Sequence, residues 1–264
     1  MKKIGTSDLY KLTFSFFLTA FLFLTGCGGG GTGDGRQTLP GENPLGPVII
    51  PGTNTSTGTS TSTGTITSTS TGTSTSTGTE TDIKTPAELL EGGWSAMNDG
   101  NFGGSISYFT NVLNDSSSTP AQRQQAWNGR GWAKVNYYKT IEGLDDFKAS
   151  YQMGEVDANS YKESVLGYAL ALIQATGDAN LDRAIELMEN ELGLVNPAYV
   201  LGIEHTSIGV TSPEAHAMLA YAYHWRGRDT EAKAQIEQAR IDDSSTTGSV
   251  NQVYETLKTA GLFD

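Results

Sequence analysis

A repeated spacing of small and large residues constrains the second half of this chain more than any other feature. Counted from Gly93, the residues 7, 12, 16 and 19 positions on are Gly100, Ser105, Phe109 and Val112. Counted from Ala220, the same intervals reach Gly227, Ala232, Ile236 and Ala239. A second copy runs Gly131, Gly143, Phe147 and Ser150, and another runs Gly167, Ala184 and Met188 with about five extra residues in its turn. Antiparallel helices approach closely only where both carry small residues at the crossing. Glycine inside a helix costs ~1 kcal/mol against alanine, so its recurrence needs a packing reason. The pairs Gly93/Ser105, Gly131/Gly143, Gly167/Ala184 and Ala220/Ala232 are therefore expected at four helix crossings. Phe109, Phe147, Met188 and Ile236 are expected to fill the space beside them.

Helix starts repeat as well. Thr85-Pro86-Ala87-Glu88 and Thr119-Pro120-Ala121-Gln122 each place a capping hydroxyl, a proline at the first helical position, and an acceptor three residues after the cap. Ser212-Pro213-Glu214 is a looser copy, and Ser160-Tyr161-Lys162-Glu163 and Ser249-Val250-Asn251-Gln252 are boxes without the proline. The last opens a helix with Val250, Val253, Tyr254 and Leu257 on one face, as a terminal cap on a solenoid requires.

Together these motifs resemble the tetratricopeptide repeat (TPR), a helix–turn–helix unit of 34 residues. The initial small residues lie 38, 36 and 53 apart, so the array is irregular, and the widest gap holds an insertion from Gly193 to Thr211. Within it, Val195 to Val210 is the one segment with strand-like composition. The expected fold is all-α: about four irregular TPR-like helical hairpins plus a C-terminal capping helix over residues 83–264, after a disordered linker.

The other end of the chain speaks of location. Lys2, Lys3 and Lys11 precede an apolar run from Leu12 to Leu24. Thirteen residues are too few to span ~30 Å of hydrocarbon as a helix, but they suit a secretory signal. The run ends in Leu24-Thr25-Gly26-Cys27, which resembles the lipobox of bacterial lipoproteins. That resemblance implies cleavage after residue 26 and lipid on Cys27, the only cysteine of the chain. Two or more acyl chains anchor a protein stably, at ~0.8 kcal/mol per buried methylene. Gly28 in the position after the cysteine implies, by the same resemblance, the outer membrane.

Residues 27–82 form the expected linker. They begin with four glycines after Cys27 and become an almost pure Thr/Ser/Gly tract from Thr53 to Thr79. Such a stretch cannot bury enough apolar area to offset its ordering entropy. Its reach is about 40 Å root-mean-square, and about 170 Å pulled straight. The whole chain carries net charge −12, and loss of the signal, with three lysines and one aspartate, leaves −14. An acidic protein lacks the basic surface that nucleic acid demands.

No set of catalytic residues has convincing spacing. His205, His216 and His224 read as surface or groove histidines without a metal set. Asp145-Asp146 and Asp242-Asp243 read as solvated helix ends. No cofactor is expected. One feature does recur: the residue after each small crossing residue is aromatic, at Trp94, Trp132, Tyr168 and Tyr221. In the TPR family this position faces the peptide-binding groove. The resemblance places Met97, Asn98, Asn128, Val135, Asn136, Tyr161, His224 and Trp225 there too. Aromatics supply large contact area at low entropy cost. The basic set that clamps a C-terminal carboxylate in some TPR domains is missing, so an extended or apolar segment is the expected ligand.

The expected function is non-enzymatic: a lipid-anchored envelope protein whose groove captures a protein or peptide partner, in a scaffold or assembly role. Its setting would be envelope biogenesis, secretion, or pilus or polysaccharide export. Tethering raises effective concentration, so modest affinity suffices. The alternatives are a stalked surface or adhesive protein, and an enzyme acting on envelope polymers.

Overall fold

The computed structural model describes residues 84–138 and 141–264. The signal peptide expected at 1–26, Cys27 and the whole linker expected at 27–82 lie outside the described residues.

Nine α-helices and no strand occur among the described residues. They are α1 (Pro86–Asn98), α2 (Phe102–Asn114), α3 (Pro120–Tyr138), α4 (Leu144–Gln152), α5 (Ala158–Ala175), α6 (Asp178–Glu186), α7 (Ser212–Trp225), α8 (Asp229–Asp242) and α9 (Ser249–Thr259). A 3₁₀ turn (Ile141–Gly143) leads into α4, and a π turn (Leu187–Glu191) continues α6. Each helix from α1 to α6 packs against its successor, as do α7 against α8 and α8 against α9, and α6 also packs against α7. The odd-numbered helices make a second series: α1 touches α3, α3 touches α5, α5 touches α7, and α7 touches α9. The described residues are thus a run of helical hairpins in which one helix of each hairpin touches its counterpart in the next.

Of the expected pairs Gly131 and Gly143 meet, since a Cβ on Gly143 would fall 2.5 Å from the Gly131 carbonyl oxygen, whereas the atoms nearest Gly93 and Gly167 are those of Phe109 and Phe147, not of Ser105 and Ala184. A Cβ on Gly93 would lie 2.6 Å from the Phe109 ring, and one on Gly129 would also collide with it. Phe147 is flanked by three glycines: Cβ atoms on Gly131, Gly143 and Gly167 would fall 2.6, 3.0 and 2.5 Å from its ring. Glycine lets three segments close on one buried ring, and both rings are fully buried. Gly129 carries no signal in the spacing pattern, yet α3 offers Gly129 to one ring and Gly131 to the next.

The extra residues of the third hairpin lie in its helices, not in its turn. α5 runs eight residues past Gly167, whereas α1 runs five past Gly93 and α7 five past Ala220. Ala184 is likewise seventh in α6, whereas Ser105 and Ala232 are fourth in theirs. Each helix gains almost one turn, so the crossing keeps its face and the turn stays short.

Three of the five expected caps are placed differently. Thr85/Glu88 and Thr119/Gln122 form the reciprocal boxes. The third cap is Thr211, one residue before Ser212, with Glu214 reaching back to its amide at 2.7 Å. α5 is capped by Asp157, whose carboxylate accepts from the Ser160 amide at 2.9 Å, so Ser160 is inside the helix and Glu163 is released for other bonds. α9 starts at Gly248 without a side-chain cap, and the Ser249 hydroxyl instead donates to buried Glu214 of α7. Val250, Val253 and Leu257 are buried and Tyr254 packs on them, which closes the end of the core.

Asp146 departs from the solvated role expected of it. It is buried, and its carboxylate takes two bonds from Arg130 at 2.9 Å and an ion pair from Lys134 at 2.9 Å. A carboxylate in the first turn of α4 faces α3, and the two α3 cations compensate its loss of water.

Candidate functional site

The odd-numbered helices present one continuous face, and the four aromatics expected on it divide into two kinds. Trp132 is 1% exposed, its edge set against Phe147 at 5.0 Å between centroids. Tyr221 is also buried, 5.9 Å from the Trp225 ring. Trp94 and Tyr168 are half-buried. Trp94 meets Phe109 edge-on at 5.2 Å, and Tyr168 sits 6.0 Å from Tyr151.

The remaining candidates divide likewise. Met97, Asn128, Val135 and Asn136 are buried, whereas Asn98 is exposed and Tyr161, His224 and Trp225 are half-buried. Asn136 bonds the Trp132 carbonyl of its own helix at 3.0 Å, and His224 Nδ1 lies 2.7 Å from Asp229. Trp132, Tyr221, Met97, Asn128 and Asn136 are therefore part of the core rather than a free lining. Phe147 of α4 covers Trp132, and a segment of the chain itself joins the core that these residues form.

That segment is the insertion. Residues 192–211 form no strand, contrary to the composition of Val195 to Val210; they carry one 3₁₀ turn, Thr206–Ile208. The segment lies against α1 and α5 at once. The His205 ring stacks on Trp94 of α1, with centroids 3.6 Å apart and planes 9° apart. Its Nδ1 lies 2.8 Å from Glu163 of α5. The other oxygen of Glu163 accepts from the amides of Glu204 and His205 at 3.0 and 2.8 Å. Asn128 of α3 donates to Glu163 at 2.7 Å, so one carboxylate ties the helix row to the insertion. Glu163 is 1% exposed, and a carboxyl group that deep is costly unless its oxygens find hydrogen-bond partners. Leu201, Ile208 and Val210 of the segment join the same apolar core as Met97, Trp132 and Tyr221.

Further along, His216 is a buried core residue rather than a surface one. Its ring nitrogens face the Tyr199 carbonyl at 2.7 Å and Gln235 Oε1 at 2.5 Å. Gln235 in turn donates to the carbonyls of Leu194 and Val195 at 2.7 and 3.2 Å. Sequence reasoning missed Glu163 and Gln235 as anchoring groups. The one trace of Glu163 was its place in a box that another residue caps.

A cavity of about 190 Å³ lies where α5, α6 and α7 meet, lined by Ile173, Thr176, Gly177, Asp178, Leu181, Tyr221 and Trp225. Thr176 adopts φ 58° and ψ −179°, a region that a β-branched residue enters only under constraint. Asn180 bonds its carbonyl at 2.6 Å, which helps hold the bend. Arg226 ties the rim together through Asp182 at 2.6 Å and Asp178 at 3.3 Å. Burial pushes the Tyr221 phenol above its ordinary range. It does the same for Tyr161 and Tyr223, whose hydroxyls also donate to Glu191 and Glu189. These phenols stay protonated. The cavity offers two aromatic walls and a carboxylate at its mouth, a setting for an apolar or aromatic side chain.

No family model, no curated protein and no solved structure matches this chain. Among the described residues, no helix is long and apolar enough to cross a membrane.

Proposed function

We propose that this chain is a lipid-anchored envelope protein whose helical domain, a TPR-like solenoid, binds an extended peptide or protein partner along the α1–α3–α5–α7–α9 row. The observation that carries the reading is the order of packing. Hairpin follows hairpin, and one helix of each hairpin stacks on its counterpart, as in a repeat whose inner row lines a groove. Asn98 is exposed and Tyr168, His224 and Trp225 are half-buried on that row, and Trp225 lines the 190 Å³ cavity. The domain acts without catalysis. Lipid on Cys27 and the linker of residues 27–82 supply place and reach, at the outer membrane.

The test is partner recovery from solubilised envelopes with Trp225→Ala and Tyr168→Ala, against Ile241→Ala on α8 as control. Ile241 is 72% exposed and tolerates truncation. The reading expects the two row substitutions to lower recovery of a partner at least tenfold and the control to leave it unchanged. Equal recovery in all three overturns it.

A further inference from the structure

The insertion is held as a bound peptide is held. Beside the bonds of its own turns, such as Ile208 N–H to the His205 carbonyl, its backbone groups are bonded by helix side chains. Gln235 reads the carbonyls of Leu194 and Val195, His216 reads the carbonyl of Tyr199, and the Ser212 hydroxyl accepts from the Leu201 amide at 2.8 Å. Glu163 takes the two successive amides of Glu204 and His205. Side-chain readings follow the same logic: Asn159 donates to the Glu204 carboxylate at 2.6 Å, and Trp94 offers its face to the His205 ring. These anchors come from α1, α5, α7 and α8, so the segment crosses the helix row as a ligand would.

We propose that residues 199–210 are an exchangeable internal ligand, and that the groove recognises an extended peptide presenting two successive amide N–H groups to Glu163 and a flat ring to Trp94. This rests on the peptide-groove reading and names its chemistry. Three features make exchange physical. The anchor on Glu163 consists of backbone amides that any extended chain possesses. The ring on Trp94 is partly exposed, as is the Asn159–Glu204 bond. The stretch ahead of the anchor exposes the side chains of Val195, Tyr199 and Val200, the last at 74%, and is held by backbone carbonyls, while Leu201, Ile208 and Val210 make the apolar contacts that a ligand has to replace. Trp94 also keeps a buried indole N–H without a partner, a donor at the seat of the ring for a ligand carbonyl. A tethered segment competes at an effective concentration in the millimolar range. The intact chain is thus guarded against weak ligands and opens to a partner of matching chemistry.

The test opens the groove. In the full chain, residues 196–209 are replaced by a Gly/Ser linker of equal length, and a fluorescent peptide of residues 197–210 is titrated against it and against the intact chain. The opened chain is expected to bind the peptide at least tenfold more tightly than the intact chain does. Peptide with His205→Ala, and opened chain with Glu163→Gln, are each expected to lose at least tenfold. A helical opened chain that ignores the peptide, or binds the His205→Ala peptide equally, overturns the proposal. Hydrogen exchange on the intact chain decides if the opened chain does not fold. The proposal expects the Glu204 and His205 amides to exchange at least tenfold faster than the α5 interior. Exchange only with global unfolding makes the segment permanent core and overturns it. Neither readout needs an outside partner, so a failed recovery experiment leaves this test standing.

Discussion

Gly131→Ala and Gly167→Ala should both destabilise the domain, although alanine is the better helix former. Each added Cβ would sit 2.6 or 2.5 Å from the same edge of the Phe147 ring, against ordinary contact that begins near 3.4 Å. Relief therefore requires a shift of about 0.8–0.9 Å. The ring cannot retreat far, because the residue is wholly buried and Gly143 flanks its opposite edge, where an added Cβ would fall 3.0 Å away. Overpacking of this kind costs about 1–3 kcal/mol, and with little room to yield the upper part of that range applies. Helix propensity returns ~1 kcal/mol. The net loss is about 1–2 kcal/mol, or a Tm lower by roughly 2–8 °C for a domain of this size. Gly103→Ala is the matched control, since its new Cβ meets nothing closer than 3.6 Å, and it should gain about 0.5–1 kcal/mol. Thermal and urea unfolding followed by helical circular dichroism measure all three. Trimming the ring with Phe147→Leu should make Gly131→Ala cheaper by about 1 kcal/mol, a coupling that distant sites do not show. If Gly131→Ala and Gly167→Ala raise Tm as Gly103→Ala does, the crossings are not where the structure puts them.

Asp146→Ala leaves Arg130 and Lys134 facing each other across a half-buried site, and should cost about 1–3 kcal/mol in urea unfolding, with Asp146→Asn intermediate. Asp157→Ala removes the cap of α5 and should cost ~1 kcal/mol. Burial works against ionisation of Asp157, but the Ser160 amide, the Gln125 amide and the charge of His205 outweigh it and hold the carboxyl below its usual 3.8. A depressed folded-state value makes the contribution full above pH 3.8 and lost as pH falls through the folded value. The wild-type excess over Asp157→Ala should therefore shrink in melts below pH 3.8, and a constant difference down to pH 2 would contradict the assignment. Cys27→Ser should move the protein from the membrane pellet to the soluble fraction and abolish fatty-acid labelling.

The parts of this fold that were legible in the sequence are those that depend on neighbours along the chain. Thr85 and Thr119 announce their helices because a capping box closes within four residues, and Phe109 and Phe147 are found by a spacing that one hairpin fixes. What was illegible depends on contacts across hairpins. Ser160-x-x-Glu163 and Asp157-x-x-Ser160 are equally good caps as strings. Asp157 wins because its β-region backbone positions the carboxylate, while Glu163 turns to amides some 40 residues away. Thr211 displaces Ser212 for a similar reason: the Ser212 hydroxyl is taken by the Leu201 amide. The aromatic row was placed on the correct helices. Burial of Trp132 and Tyr221 could not be read from it, because it depends on groups that only the fold brings together, such as Phe147 of α4 against Trp132. Polar residues mislead in the same way. His216 and Asp146 look solvent-facing as letters, and their burial is explained by partners from elsewhere in the fold: the Tyr199 carbonyl and Gln235 for one, Arg130 and Lys134 for the other.

Site-specific photo-cross-linking in living cells tests the partner-binding claim most directly. A photoreactive residue is placed in turn at Asn98, Tyr168 and Trp225 on the helix row, and at Ile241 and Lys148 on α8 and α4, all at positions with exposed or half-exposed side chains. The account predicts one discrete adduct, the same from the row positions, absent from Ile241 and Lys148, and weakened by Cys27→Ser as effective concentration falls. Adducts of equal yield from both sets of positions, or from Ile241 and Lys148 alone, would contradict it.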